Sequence, residues 1–91
     1  MTFSEAVEAM RQGKRVRRDR WRTGLWLILV PGSTITVTAD RPLGIAAPEL
    51  VGEQVSYGEH IDKMNGGTLS PWAPTNEALL ATDWAVVVPS S

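Results

Sequence analysis

Cysteine is absent from this sequence, and histidine occurs once, as His60. Without thiols the chain can form no disulfide, use no thiolate nucleophile and offer no cysteine ligand to a metal. A zinc site takes three or four protein ligands, which a single histidine cannot supply. The longest apolar run, Leu25–Val30, is too short to span a bilayer. We therefore expect a cytoplasmic protein with no membrane partner that needs neither a metal nor a cofactor.

The length and composition indicate one small globular domain. The chain has 91 residues, of which 43% are hydrophobic and 21% charged, as is ordinary for a folded protein. A domain of this size buries only about two-thirds of its unfolded surface, so association into a homo-oligomer is a reasonable expectation. We predict a single ligand-binding domain over residues 1–91.

Negative charge is scarce in one segment. Seven of the nine lysines and arginines fall between Arg11 and Arg22, and only Asp19 opposes them there. The net charge of the whole chain is nevertheless −1. Such asymmetry creates a local positive field that attracts anions. The same pattern is also typical of a solvated helix end and strand, and the acidic remainder makes nucleic acid an unlikely partner.

An N-terminal helix is the clearest element. Thr2 and Glu5 form a T-x-x-E capping box, and Gly13 can supply the left-handed residue that ends a helix. Apolar residues recur between them at helical spacing: Phe3, Ala6, Val7 and Met10. These signals predict a helix over Phe3–Gln12.

Alternating patterns and turn signals predict an antiparallel sheet. Strands are expected at Lys14–Arg18, Leu25–Val30, Thr34–Thr38, Val55–Tyr57, His60–Met64, Thr68–Ser70 and Ala85–Val88. The wholly apolar Leu25–Val30 is typical of a central strand covered on both faces, with Trp26 in the core. A turn at Pro31–Ser33 is expected to fold it against Thr34–Thr38 as a hairpin. Asn65–Gly67 predicts a further hairpin.

The remaining segments complete an α+β fold. Asp40–Gly52 is predicted to be a loop with one helical turn, and Pro71–Pro74 an extended linker. Thr75 can cap a second short helix that runs through Leu80. The fold class is therefore α+β, an antiparallel sheet with an N-terminal helix and a second short helix near the C-terminus.

Catalytic motifs are few. No serine lies in a G-x-S-x-G elbow, and Gly66-Gly67 lacks the P-loop pattern. Glu59 and Asp62 flank His60, so one alternative is an enzyme that uses these residues. A second alternative is a nucleic-acid-binding module that uses Arg11–Arg22. The third and favoured hypothesis is a non-enzymatic protein that holds its ligand unchanged.

Four tryptophans are many for so short a chain. Indole rings stack on nucleobases, and arginine forms bidentate hydrogen bonds to phosphate. Arg17, Arg18 and Arg20 beside Trp21 thus predict a site for a phosphate and a base. The alternative is that the tryptophans fill a small core.

The order of several motifs resembles one known family, the Thoeris anti-defence proteins of the second type. The matching segments are Phe3–Ala6, Gly13–Arg18 with Trp21, Leu29–Thr34, His60–Asp62, Pro71-Trp72 and Leu79–Trp84. The resemblance covers essentially the whole chain. It departs after Trp72, where the family has Ser-Gln and an acidic residue and this chain has Thr75, Asn76 and, at the acidic position, Ala78. Asp40–Gly52 matches no family motif.

The resemblance implies a phage protein that acts as a sponge in the cytoplasm of the infected bacterium. Such proteins bind cyclic ADP-ribose isomers made by a Thoeris defence enzyme and do not cleave them. Some relatives also hold cyclic dinucleotides at a separate pocket. The family implies a homotetramer with pockets between subunits. By resemblance, the ligand-binding residues here are Arg17, Arg18, Trp21, Trp72, Thr75, Asn76, Asp83 and Trp84.

Overall fold

A computed structural model describes residues 1–88 of the chain. The described helices are α1 (Phe3–Arg11), α2 (Pro42–Ala46) and α3 (Asn76–Leu80), with a 3-10 turn at Pro48–Leu50. The strands are β1 (Arg15–Arg18), β2 (Leu25–Val30), β3 (Ser33–Thr36), β4 (Gln54–Tyr57), β5 (His60–Asn65), β6 (Thr68–Pro71) and β7 (Trp84–Val87). The predicted α+β class is confirmed, with the N-terminal helix and the short helix near the C-terminus both in place. None of the described helices is long and apolar enough to cross a bilayer.

Helix α1 begins and ends as its sequence predicts. The Thr2 hydroxyl accepts the backbone N–H of Glu5, and a carboxylate oxygen of Glu5 accepts the backbone N–H of Thr2 at 2.8 Å. Gly13 has a φ of 85°, the left-handed conformation that stops the helix. The helix ends at Arg11, and Gln12 is its C-cap, one residue earlier than predicted. Ala6 and Met10 point into the core.

Five strands form an antiparallel sheet in the order β6-β5-β2-β1-β7. Its inner face packs against α1, and the three largest fully buried side chains are Val16, Leu27 and Trp84. The hairpin between β5 and β6 turns at Gly66 and Gly67, whose φ angles of 58° and 99° suit a two-residue turn. That hairpin was predicted correctly.

The predicted hairpin between β2 and β3 is wrong. Strand β2 already has two neighbours, β1 and β5, so it has no free edge for β3. Strand β3 pairs instead with β4. The register runs on without a shift from Leu25 opposite Asn65 to Thr36 opposite Gln54. The four strands are therefore one long antiparallel ribbon, interrupted beside Pro31 and Gly32.

The far half of this ribbon, with residues 37–53, forms a projecting arm. The chain measures 46 × 25 × 24 Å, with a radius of gyration of 16.4 Å, against about 12 Å for a globular domain of this length. The arm contains α2 and the 3-10 turn, so the predicted loop at Asp40–Gly52 has more helix than expected. Gly44 is buried against the arm, where a Cβ would lie 2.0 Å from the carbonyl oxygen of Thr38.

The outer face of the five-stranded sheet carries half-buried apolar side chains. Alternation along β2 directs Trp26, Ile28 and Val30 to this face, away from Leu27. Trp26 is not part of the hydrophobic core cluster, and the Arg15 guanidinium lies 4.8 Å from its ring centroid. The predictions that β2 is covered on both faces and that Trp26 is core are therefore wrong. Helix α1 covers the inner face only.

Candidate functional site

A cavity of about 330 Å³ opens beside the inner face of the sheet, between the turn after β1 and the start of α3. Its lining residues are Arg18, Arg20, Trp21, Lys63, Trp72, Thr75, Glu77 and Ala78. The volume is near the lower end of the range of small-ligand pockets, about 300–1,000 Å³. Four residues singled out from the sequence meet here: Arg18, Trp21, Trp72 and Thr75.

The other four predicted residues lie elsewhere. Asp83 lies behind Arg18, whose Nε donates to its Oδ1 at 2.7 Å. Trp84 is 2% exposed and lies beneath the cavity in the core. Asn76 is exposed on α3 and does not line the cavity. Arg17 belongs to the opposite face of the sheet.

Arg17 and Arg18 are separated because they are consecutive in a strand. Val16 and Arg18 share the inner face of β1, and Arg17 shares the outer face with Arg15. The Arg17 Nε donates to the backbone oxygen of Arg18 at 3.2 Å, and its Nη2 donates to the backbone oxygen of Trp21. Arg17 thus braces the turn that carries Trp21 from behind the sheet.

Three tryptophans and Phe3 form one aromatic cluster. The ring centroids of Trp21 and Trp72 lie 5.4 Å and 6.1 Å from that of Trp84, both in edge-to-face geometry. Trp84 also donates its indole N–H to the backbone oxygen of Ala78 at 2.9 Å, which satisfies its one polar group. Trp84 is therefore core. Trp21 and Trp72 are half-buried, and each combines a core contact with a position on the cavity wall.

Lys63 also lines the cavity, although no sequence motif predicted it. It projects from β5 to the inner face, and its Nζ lies 4.8 Å from the ring centroid of Trp21, in cation–π geometry. The hairpin signal at Asn65–Gly67 could have found it, because alternation back from that turn places Lys63 on the same face as Ile61. A ring that stacks on that face of Trp21 must displace the ammonium group.

The cationic side of the cavity is an ion-pair network. Arg18 is 8% exposed and pairs with Asp83 at 2.7 Å and with Glu77 at 3.5 Å. Arg20 also pairs with Glu77. The hydrogen bond from Arg18, opposed by partial desolvation, holds the pKa of the Asp83 carboxyl below its ordinary value. Asp83 fixes the Arg18 guanidinium, which leaves its outer nitrogens directed toward the cavity.

Helix α3 begins at the cavity. The Thr75 hydroxyl accepts the backbone N–H of Ala78 at 3.1 Å, which confirms its predicted capping role. Pro71 belongs to β6 rather than to the predicted linker, and the backbone N–H of Trp72 donates to Ile61 at 2.9 Å. This backbone hydrogen bond, one residue beyond the end of β6, holds the indole of Trp72 against the aromatic cluster.

His60 and its acidic neighbours do not converge on the cavity. The His60 Nε2 lies 3.4 Å from Asp62, whereas Glu59 makes a bidentate pair with Arg11, both contacts at 3.1 Å. Within residues 1–88, no group of three or more histidines and carboxylates is arranged to hold a metal ion. A larger cavity of about 500 Å³ lies in the arm, with mainly apolar walls and one cation, Arg41. It contains none of the predicted site residues.

Together these features define a small α+β domain with a cationic pocket walled by tryptophan. A family model described as the Thoeris anti-defense 2-like domain matches residues 1–87. The chain is also 30% identical to Thoeris anti-defense 2 of Bacillus phage SP01 over 87 residues, 96% of this chain and 94% of the relative. The chain belongs to the Thoeris anti-defense 2-like family. The resemblance drawn from its motifs is confirmed.

Proposed function

We propose that this protein is a phage sponge that binds a cyclic ADP-ribose-type immune signal without cleaving it and so blocks Thoeris defence. The observation that carries the proposal is the cavity in which Arg18, Arg20 and Lys63 lie beside Trp21 and Trp72. A cyclic ADP-ribose isomer has a diphosphate and a purine, and these groups call for cations and aromatic faces, respectively. The name of the phage relative supports the anti-defence role.

Sequestration suits the residues at the cavity. The lining contributes guanidinium, ammonium, hydroxyl and indole groups, and its one carboxylate, Glu77, is paired with two arginines. These groups bind and orient a ligand. His60 lies outside the lining, which favours holding the signal over the alternative of a degrading enzyme. The site of action follows from the ligand, because a defence signal is made in the cytoplasm of the infected cell.

The directions of the basic side chains favour a small ligand over nucleic acid. Arg11 pairs with Glu59 near the base of the arm, and Arg15 and Arg17 belong to the outer sheet face. Arg18 and Arg20 face the cavity. The basic segment is thus divided among three surfaces. A long polyanion needs a continuous cationic track, whereas one small dianion can be bound by Arg18 and Arg20 alone.

The outer sheet face supports a homo-oligomer, in the proposed case a tetramer built as a dimer of dimers. Trp26, Ile28 and Val30 lie there half-buried, outside the core cluster. Association of copies through this face would remove apolar area from water. Ile28→Glu should therefore lower the mass measured by light scattering, and Ser4→Glu on the exposed side of α1 should leave it unchanged. Equal masses for both variants would contradict assembly through this face.

The decisive experiment distinguishes sequestration from degradation. The protein is incubated with the signal made by a Thoeris enzyme, freed of unbound ligand, and heat-denatured. The supernatant is then tested on the Thoeris effector. We expect the native complex to leave the effector silent and the heated sample to activate it. Loss of active signal after heating, with degradation products seen by mass spectrometry, would instead establish catalysis.

The nucleic-acid alternative has its own test. Binding to a single-stranded DNA oligonucleotide and to the cyclic signal is measured at low and high salt. We expect binding of the signal and no measurable affinity for the DNA at physiological salt. DNA binding with a steep salt dependence, together with no binding of the signal, would support the alternative.

A further inference from the structure

We infer that Glu77 is an internal counter-anion that occupies the position a phosphate would take in the cavity and sets which anions can enter. The inference rests on the proposed function, since it concerns the same cavity. Glu77 contacts both arginines of the lining, Arg18 at 3.5 Å and Arg20 more closely. A carboxylate that bridges two guanidinium groups uses the same donors that a phosphate would use.

The charges at the cavity separate into a fixed pair and an exchangeable pair. Asp83 lies behind Arg18, 33% exposed, and its pair with Arg18 is short at 2.7 Å. Glu77 has a side chain 65% exposed, and its partner Arg20 is 63% exposed. A side chain with that much exposure can rotate into solvent without leaving a buried charge unpaired. Glu77 can therefore be displaced, and Asp83 stays.

Displacement of Glu77 leaves two positive charges in the cavity, which match the two negative charges of a diphosphate diester. With Asp83 held by Arg18 and Glu77 held by Arg20, Lys63 is the remaining cation of the lining. When Glu77 leaves, Arg20 and Lys63 together offer two positive charges. A diphosphate diester carries two negative charges. An anion with one charge, such as chloride, cannot offset both cations, so Glu77 disfavours anions of this kind.

The backbone beneath Glu77 stays in place during this exchange. Thr75 caps α3 through the N–H of Ala78, and Ala78 accepts the indole N–H of the buried Trp84. Glu77 lies between Thr75 and Ala78 in the chain, so its Cα is anchored on both sides. Only its side chain has to move for the exchange, and the cavity keeps its shape.

The test is the substitution Glu77→Gln, which keeps the size of the side chain and removes its charge. Glu49→Gln is the matched control, because Glu49 is exposed in the arm and forms none of the ion pairs found among residues 1–88. Calorimetry with cyclic ADP-ribose and with inorganic pyrophosphate measures affinity at low and at high salt. Circular dichroism verifies that both variants fold.

We expect Glu77→Gln to bind both probes more tightly, by about five-fold, the size expected when an exposed carboxylate stops competing for its partners. The gain should shrink at high salt, because the pair that the ligand must break is itself screened. Glu49→Gln should match the unmodified protein. In an Arg20→Gln background the gain from Glu77→Gln should be smaller, since one of its two partners is gone.

The two probes keep this inference separate from the proposed function. If cyclic ADP-ribose binds the unmodified protein and Glu77→Gln equally well, or binds the variant more weakly, the counter-anion role is wrong and the sponge function stands. If no variant binds cyclic ADP-ribose but Glu77→Gln gains pyrophosphate affinity, the counter-anion role stands and the proposed ligand is wrong.

Discussion

Substitution of Trp84 tests whether this residue belongs to the core while Trp21 and Trp72 belong to the cavity. The substitution Trp84→Phe keeps a ring in the core and removes the indole N–H that donates to Ala78 at 2.9 Å. The lost hydrogen bond costs about 1 kcal/mol, and the buried acceptor loses its partner. The smaller ring leaves a space of at least methyl size, which costs about 1 kcal/mol more. The expected loss in free energy of unfolding is therefore about 2 kcal/mol.

A loss of that size is measurable in a domain this small. For a chain of fewer than about 100 residues, 1 kcal/mol lowers the midpoint of thermal unfolding by about 4–8 °C, so Trp84→Phe should lower it by about 8–16 °C. Urea unfolding followed by circular dichroism gives the free energy directly. Trp84→Ala is less useful, because a loss of about 3–5 kcal/mol approaches the total stability of a small domain.

Tyr57→Phe is the matched control, since Tyr57 is 53% exposed in the arm and lies outside the core cluster. Its free energy of unfolding should fall by less than half as much. Ligand affinity of the folded Trp84→Phe protein should stay within about three-fold of the parent, because the buried ring presents no face to the cavity. Unchanged stability with a large loss of affinity would refute the reasoning and make Trp84 a ligand contact.

Three further predictions concern the cavity wall, the arm and the response to acid. Trp72→Ala should fold with a modest loss of stability and lose ligand affinity by at least about five-fold, as one stacked ring contributes about 1–3 kcal/mol; calorimetry beside circular dichroism separates this from a folding defect. Gly44→Ala should destabilise the arm by about 1–3 kcal/mol because its Cβ would lie 2.0 Å from a backbone oxygen, whereas Gly58→Ala, with open space around its Cβ, should change the thermal midpoint little. The folded-state pKa of Asp83 is lowered, so the stabilising effect of its carboxylate is present above the unfolded pKa and is lost as the pH falls through the folded value. Asp83→Asn should therefore be less stable than the unmodified protein at neutral pH and should lose less stability on acidification. Parallel profiles of stability against pH for the two proteins would contradict this.

Features encoded within a few residues were predictable from the sequence. The capping box of α1, the turn at Gly13, the cap at Thr75 and the hairpin at Gly66-Gly67 each depend on contacts between near neighbours in the chain. Their side chains find the required donors and acceptors without help from distant segments. Boundaries therefore agreed to within one or two residues.

The partner of β2 was not predictable in the same way. Leu25–Val30 pairs with His60–Asn65, and nothing local distinguishes that strand from the nearer β3. The local pattern at Pro31–Ser33 predicts a reversal of the chain, whereas the ribbon continues past these residues in the same register. The arm and its cavity follow from this long-range pairing, so they lay beyond the local patterns.

The candidate site was predictable in part, because family motifs pointed to residues and alternation decides their direction. Arg17 and Arg18 were expected to act together, although consecutive strand residues face opposite sides. The alternation of side chains along β1 would by itself have placed Arg17 and Arg18 on opposite faces of the sheet. The same alternation along β5 would have placed Lys63 on the inner face, beside the cavity. Glu77 required the structure, since its role depends on the meeting of α3 with the turn after β1.

The size of the domain couples its core to its candidate site. The three largest fully buried side chains among the described residues are Val16, Leu27 and Trp84, and three of the other buried core residues are alanines, so the inner layer is thin. Trp21 and Trp72 complete that layer, and the same two rings form a wall of the cavity. A ligand that stacks on them covers the edge of the core itself. Ligand binding must then raise the free energy of unfolding by mass action, by about 2.7 kcal/mol at a hundred-fold excess over Kd. Under the proposed function, the domain is therefore most stable when its ligand is bound.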